Sequence, residues 1–208
     1  MDGVFMFKLW KCVLICMIAA AFLGTGPLVS DRNALDDEII RLHVVANSDS
    51  AADQAVKLKV RDAIVEGLRA EMEKLGDVES AKAYLQENLP RIEEIANETL
   101  EAAGVGMRAA VSLCREAFDT RHYDTFSLPA GVYEALRVTI GNGDGKNWWC
   151  VVFPSLCIPA TSEEFADVAA GAGFSDALVQ TLEGKDPVQI RFFLLDLLGR
   201  LENIFFEG

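Results

Sequence analysis

GKNWWCVVFPSLC, residues 145–157, places two tryptophans beside one cysteine and a second cysteine seven positions on. Three chemistries are open to such a stretch: a reactive thiol, a metal site, or a strand stapled by a disulfide. Five cysteines occur in the chain, and Cys12 and Cys16 fall in an apolar N-terminal run, leaving Cys114, Cys150 and Cys157. CxxC spacing is absent and the histidines are only His43 and His122, so a structural zinc site is not expected. A nucleophilic cysteine would need a base, and only His122 is a candidate to approach by folding. Outside the cytoplasm two nearby cysteines usually pair, so a Cys150–Cys157 disulfide is expected after Pro154 bends the chain back. The small loop closed this way would stabilise by roughly 2–3 kcal/mol. One tryptophan is expected to stay partly exposed as a binding surface.

Other residues invite chemistry and have a plainer reading. His43, Asp49 and Asp53 form a conceivable metal trio, but Asp and Ser after a strand more often cap a helix. GNGDGKN carries glycines and a lysine, yet Asn147 follows Lys146 where a phosphate loop needs Ser or Thr. It reads as a turn. No G-x-S-x-G elbow occurs. Neither cofactor nor metal is expected.

The compartment decides among these options. Lys8 and Lys11 precede VLICMIAAAFL, residues 13–23, and Gly24, Thr25, Gly26 and Pro27 follow. A basic start, a short apolar run and a small-residue exit describe a secretory signal, or an N-terminal anchor if uncut, over residues 1–30. The chain has a net charge of −13, and the part after residue 30 carries −14. Such acidity disfavours nucleic acid and anionic lipid as partners. Membrane association is expected only through the N-terminal segment or an apolar tail.

The elements that must position these residues follow from periodicity. Residues 39–46 alternate as a strand, and NSDS ends it with a capping box of Ser50 and Asp53. Val56, Val60, Ile64, Leu68 and Met72 recur every fourth residue, which predicts a helix over 51–74. A second helix is expected over 79–103, kinked or restarted at Pro90. Strands are expected at 107–118, 132–141 and 147–153, with 119–131 a loop. The last two strands should make a hairpin about Asn142-Gly143-Asp144-Gly145, and NWWCVVF, apolar on both faces, suits a central position. Thr161 and Ser175 should cap two short helices. The last helix, 187–203, is apolar nearly all round; buried packing is the plainer reading, and a sticky face for a membrane or partner is the alternative. The expected fold is α+β: an antiparallel sheet of three to four strands, a helical pair on one face, and a helical C-terminal tail. Residues 31–160 form the expected domain and 161–208 its extension.

Three strings, RLHVVANSDS, LPAGVYEALR and GDGKNWWCVVFP, together with the N-terminus, resemble the stage II sporulation protein R family of endospore-forming Gram-positive bacteria. The resemblance implies an exported signal made in the forespore. In the intermembrane space it would trigger a membrane-embedded aspartic protease of the mother cell, which processes pro-sigma E; the protein itself would not be an enzyme. The family motifs fall on Arg41, His43, Asn47, Ser48, Asp49, Tyr133, Glu134, Arg137, Asn147, Trp148, Trp149, Cys150 and Cys157. Partner contacts are expected among His43, Asn47, Asp49, Tyr133, Arg137, Asn147, Trp148 and Trp149. The family pattern has proline where this chain has Asp119 and Ser155. The alternative from the residues alone is an exported hydrolase of wall or peptide, using His43 or His122 with Cys114 or a carboxylate.

Overall fold

The computed structural model describes residues 28–154, 162–171, 173–185 and 190–207. Residues 1–27 of the expected signal or anchor, Cys157 and Thr161 lie outside them. Residues 28–37 are helical (α1). Leu35 is fully buried and Leu28 and Ala34 pack on the same cluster, which gives this short helix an apolar side to dock. β1 (Ile40–Val45) follows, then α2 (Ala51–Met72) and α3 (Val78–Ala102). Ser50 Oγ accepts the Asp53 N–H and Asp77 accepts the Ser80 N–H, each satisfying an orphan donor of a first turn. Pro90 lies inside α3 without ending it, and the residue is exposed, so its missing N–H faces solvent.

β2 (Ala109–Phe118), the two-residue ribbon β3 (Arg121–His122) and β4 (Ser127–Leu128), β5 (Gly131–Ile140) and β6 (Asn147–Phe153) complete the strands. The main sheet has the order β2-β5-β1-β6. It is α+β as expected, but mixed: β1 runs parallel to β5 and antiparallel to β6. The expected β5–β6 hairpin is therefore corrected, because β1 sits between the two strands. So is the central place given to NWWCVVF; all six β1 residues are buried, and β1 takes the inner position. Segment 141–146 must then cross two strand spacings, about 10 Å, which a tight two-residue turn cannot do.

Two apolar clusters form. One joins Ile40, Leu42, Val44, Leu136, Val138 and Val152 to the expected stripes of α2 and α3. The other joins Ile39, Phe118, Tyr133, Ala135 and Val151 to Leu35 and to three C-terminal helices. These are α4 (Ser162–Gly171), α5 (Asp176–Leu182) and α6 (Ile190–Glu207). Ser175 caps α5 through the Leu178 N–H, as its sequence indicates. Buried packing of the last helix is corrected: Leu195 is fully buried, while Phe193 and Phe205 are 62% and 83% exposed.

Candidate functional site: a polar cleft at the open end of the sheet

The ANSDS and GNGDGK segments are one structure. Asn47 Oδ1 accepts the Asn142 N–H at 3.1 Å, and its Nδ2 donates to Asp53 at 2.9 Å. Asp49 accepts the Lys146 N–H at 2.7 Å. The Gly145 N–H donates to Ala46 O at 2.9 Å, and a Cβ on Gly145 would stand 2.4 Å from Ser48 O. Glycine is thus required by close backbone approach. Hydrogen bonds from Ser48 and Asn47 hold the Asp53 carboxyl below its ordinary range. This latch occupies the side chains of Asn47 and Asp49 internally. His43 is engaged by Glu116 instead, and the three residues do not form a group that could hold a metal ion. Among the described residues no other group of three or more such ligands gathers.

Beside the latch, strand register brings distant residues together. His43 stands opposite Arg137 on β5 and opposite Trp149 on β6. His43 Nδ1 lies 2.7 Å from Glu116 Oε2, and Arg137 Nη1 donates to Glu116 Oε1 at 2.7 Å. The His43 ring stacks on Trp149 at 5.6 Å, and the Arg121 guanidinium covers the same indole at 3.5 Å. His43, Glu116, Arg137, Asn147, Trp149 and Phe206 line a cleft of about 450 Å³. Burial works to raise the Glu116 pKa, but hydrogen bonds and charge from His43 and Arg137 outweigh it and leave it below the ordinary value. His43 Nε2 is buried and has no partner.

The remaining motif residues are elsewhere. Tyr133 is fully buried, its hydroxyl donates to Pro129 O at 2.8 Å, and burial pushes its pKa up to about 12. Trp148 points to the opposite face of the sheet from Trp149, with the Arg61 guanidinium 4.3 Å from its ring. Arg41 is fully buried, lies 4.1 Å over Phe118 and donates to the Tyr123 hydroxyl at 3.0 Å. Its Nε and Nη1 have no partner.

Of the eight expected partner contacts, His43, Arg137, Asn147 and Trp149 meet in the cleft; Asn47 and Asp49 serve the latch, Tyr133 the core, and Trp148 the other face. Glu116, Arg121 and Phe206 were missed. The one signal available for Glu116 was a glutamate inside a predicted strand, whose charge, once half-buried, must find a cation. Cys150 is disulfide-bonded, and Cys114 is a free thiol in the cleft wall. Burial pushes the Cys114 pKa up, with Glu116 adding to the rise, which is the wrong direction for a nucleophile. His122 lies on the exposed ribbon, 2.8 Å from Ser127 Oγ.

Residues 36–163 match the profile of the family described as stage II sporulation protein R. The curated protein of that name from Bacillus subtilis (strain 168) is 33% identical over 220 residues, covering 92% of this chain and 98% of its own. No solved structure matches.

Proposed function

Because the chain belongs to the stage II sporulation protein R family, we propose that it is an exported intercellular signal of sporulation. It acts between forespore and mother cell, where docking triggers a membrane-embedded aspartic protease to process pro-sigma E. Residues 1–30 direct export as a signal peptide or anchor. Cys150 pairs with Cys157, and the disulfide on Cys150 fits an oxidising compartment.

The observation that carries this reading is the cleft. Four family-motif residues from three strands, His43, Arg137, Asn147 and Trp149, line it beside Glu116 of β2 and Phe206 of α6, and its groups are arranged to recognise. Glu116 is held ionised between His43 and Arg137, so it serves to orient them. Trp149 offers an indole clamped between an imidazole and a guanidinium, an aromatic anchor of the kind that dominates docking surfaces.

The hydrolase reading draws on one contact, the 2.7 Å His43–Glu116 pair, which resembles an oriented base. Cys114 shares the cleft, but its raised pKa opposes attack.

The test is co-expression of the full chain with the protease and the sigma precursor, followed by gel analysis of processing. Processing that depends on the chain supports the signal reading. A His43→Ala, His122→Ala double variant that still signals eliminates the hydrolase. Processing that is equal with and without the chain overturns the proposal.

A further inference from the structure

α6 is amphipathic inside out. Its polar side faces the domain. Arg191 Nε donates to Asp31 at 2.7 Å, and Glu202 pairs with Arg32 at 3.1 Å. Asp196 accepts the Ala130 N–H at 2.8 Å, and Asn203 Nδ2 donates to Phe118 O at 2.9 Å. Gly199 lets the helix close on the sheet: a Cβ there would fall 1.6 Å from Ala130 O. The outward side carries Ile190, Phe193, Leu197, Leu201 and Ile204, all exposed, at steps of three and four residues. Leu198 and Phe205 widen the stripe. Arg200 is turned aside onto Asp196 at 2.8 Å. A surface helix normally buries its apolar stripe and wets its charges. Here the charges are spent inward, and a continuous apolar strip is left facing out.

We propose that this face lies flat on a lipid bilayer. No described helix is long and apolar enough to cross a membrane, so α6 would lie in the interface. Chain geometry selects the bilayer as occupant. The apolar run 13–23 ends only eight residues before Asp31, and Asp31 is bound to Arg191 at the start of α6. Eight residues reach at most about 28 Å, so the run, while attached, delivers α6 to any bilayer it enters. A second copy fits less well. Each chain carries −13, and the positions flanking the strip, where coiled coils place paired charges, hold Leu198 and Phe205. Anionic headgroups add nothing, because both α6 arginines are already paired; insertion is apolar. Phe206 belongs both to the end of α6 and to the cleft wall. On the signalling reading, α6 therefore sets the cleft at the membrane surface, where an embedded partner presents its loops.

The test uses the full chain carrying Phe205→Trp and vesicles of phosphatidylethanolamine and phosphatidylglycerol with brominated acyl chains. The unsubstituted chain supplies the background from Trp10, Trp148 and Trp149. The proposal expects the added emission to shift to the blue on vesicle binding and to lose most of its intensity to bromine. Adding Leu197→Glu and Leu201→Glu to Phe205→Trp should abolish both changes. No change in the added emission on vesicles that hold the chain overturns the proposal, as does a failure to bind vesicles. A blue shift without lipid also overturns it. In a dimer that result assigns the face to a second copy; in a monomer, to the chain's own N-terminal segment. Signalling is not read in this experiment, so its outcome stands apart from that of the docking proposal.

Discussion

The two clusters that β1 joins share one strand and differ in kind. Toward α2 and α3 the strand contributes Ile40, Leu42 and Val44, and the cluster is aliphatic, with the expected stripes of both helices. On alternate positions it contributes Arg41 and His43, both buried, to surroundings that hold Arg32, Asp36, Glu116 and Tyr133. Apolar burial needs no orientation and is the main source of stability. Buried polar groups lower stability unless paired, and Arg41 and His43 are paired only in part. A chain selected for stability alone would have filled those positions with aliphatics. On the proposed function, the difference places stability on the α2–α3 side and recognition on the other.

That division can be broken by mutation. Leu85→Ala, in the aliphatic cluster, should destabilise by about 2–5 kcal/mol in urea unfolding. A loss under about 1 kcal/mol would mean that this cluster is not where stability resides. Arg41→Met should do the opposite, leaving stability unchanged or raising it by about 1–2 kcal/mol, because two unpartnered donor nitrogens leave the interior. Clear destabilisation by Arg41→Met would show that the guanidinium is a structural tie.

Titration sharpens the same contrast with two carboxylates of opposite sign. Burial pushes Asp36 up to about 7, against the attraction of Arg32. Its folded pKa exceeds its unfolded value of 3.8, so the native state holds the extra proton between them. This group should make stability fall as pH rises from about 4 to about 7, by no more than about 1.4 kcal/mol per unit. Glu116 is shifted down by His43 and Arg137 in spite of its burial, so its contribution is present above its unfolded value of 4.5 and lost as pH falls below it. Asp36→Asn should flatten the first limb and Glu116→Gln the second. Unaltered pH profiles would contradict the assignment.

The smallest effect separates the paired tryptophans. Trp148→Ala removes a partly exposed ring stacked under Arg61 and should lower stability by about 0.5–1 kcal/mol without changing signalling. Trp149→Ala should leave a folded chain and reduce signalling. Equal signalling by the two variants would erase the distinction between the faces.

The stripes of α2 and α3, the Ser50 and Ser175 caps and most strand positions were legible, because each is local: a period of four, a period of two, or a side chain three residues from an N–H. The parallel β1–β5 pairing was not, since its partners lie far apart in the chain and periodicity says nothing of neighbours. Reading 142–145 as a tight hairpin followed from turn chemistry that also serves a longer crossing. α6 was misread because a helix apolar nearly all round does not declare its buried side; Asp196 and Gly199 decide it through contacts with Ala130. At the site, the motif strings marked His43, Arg137, Asn147 and Trp149 but gave equal weight to Asn47 and Asp49, whose work is internal. Glu116 and Phe206 enter the cleft only through tertiary packing.

The most direct test is pro-sigma E processing with an Arg137→Ala, Trp149→Ala chain whose thermal unfolding midpoint matches that of the unsubstituted protein. If the cleft is the docking surface, this folded chain fails to trigger cleavage of the precursor. Full processing by the same chain would place the signal on another surface and contradict the account.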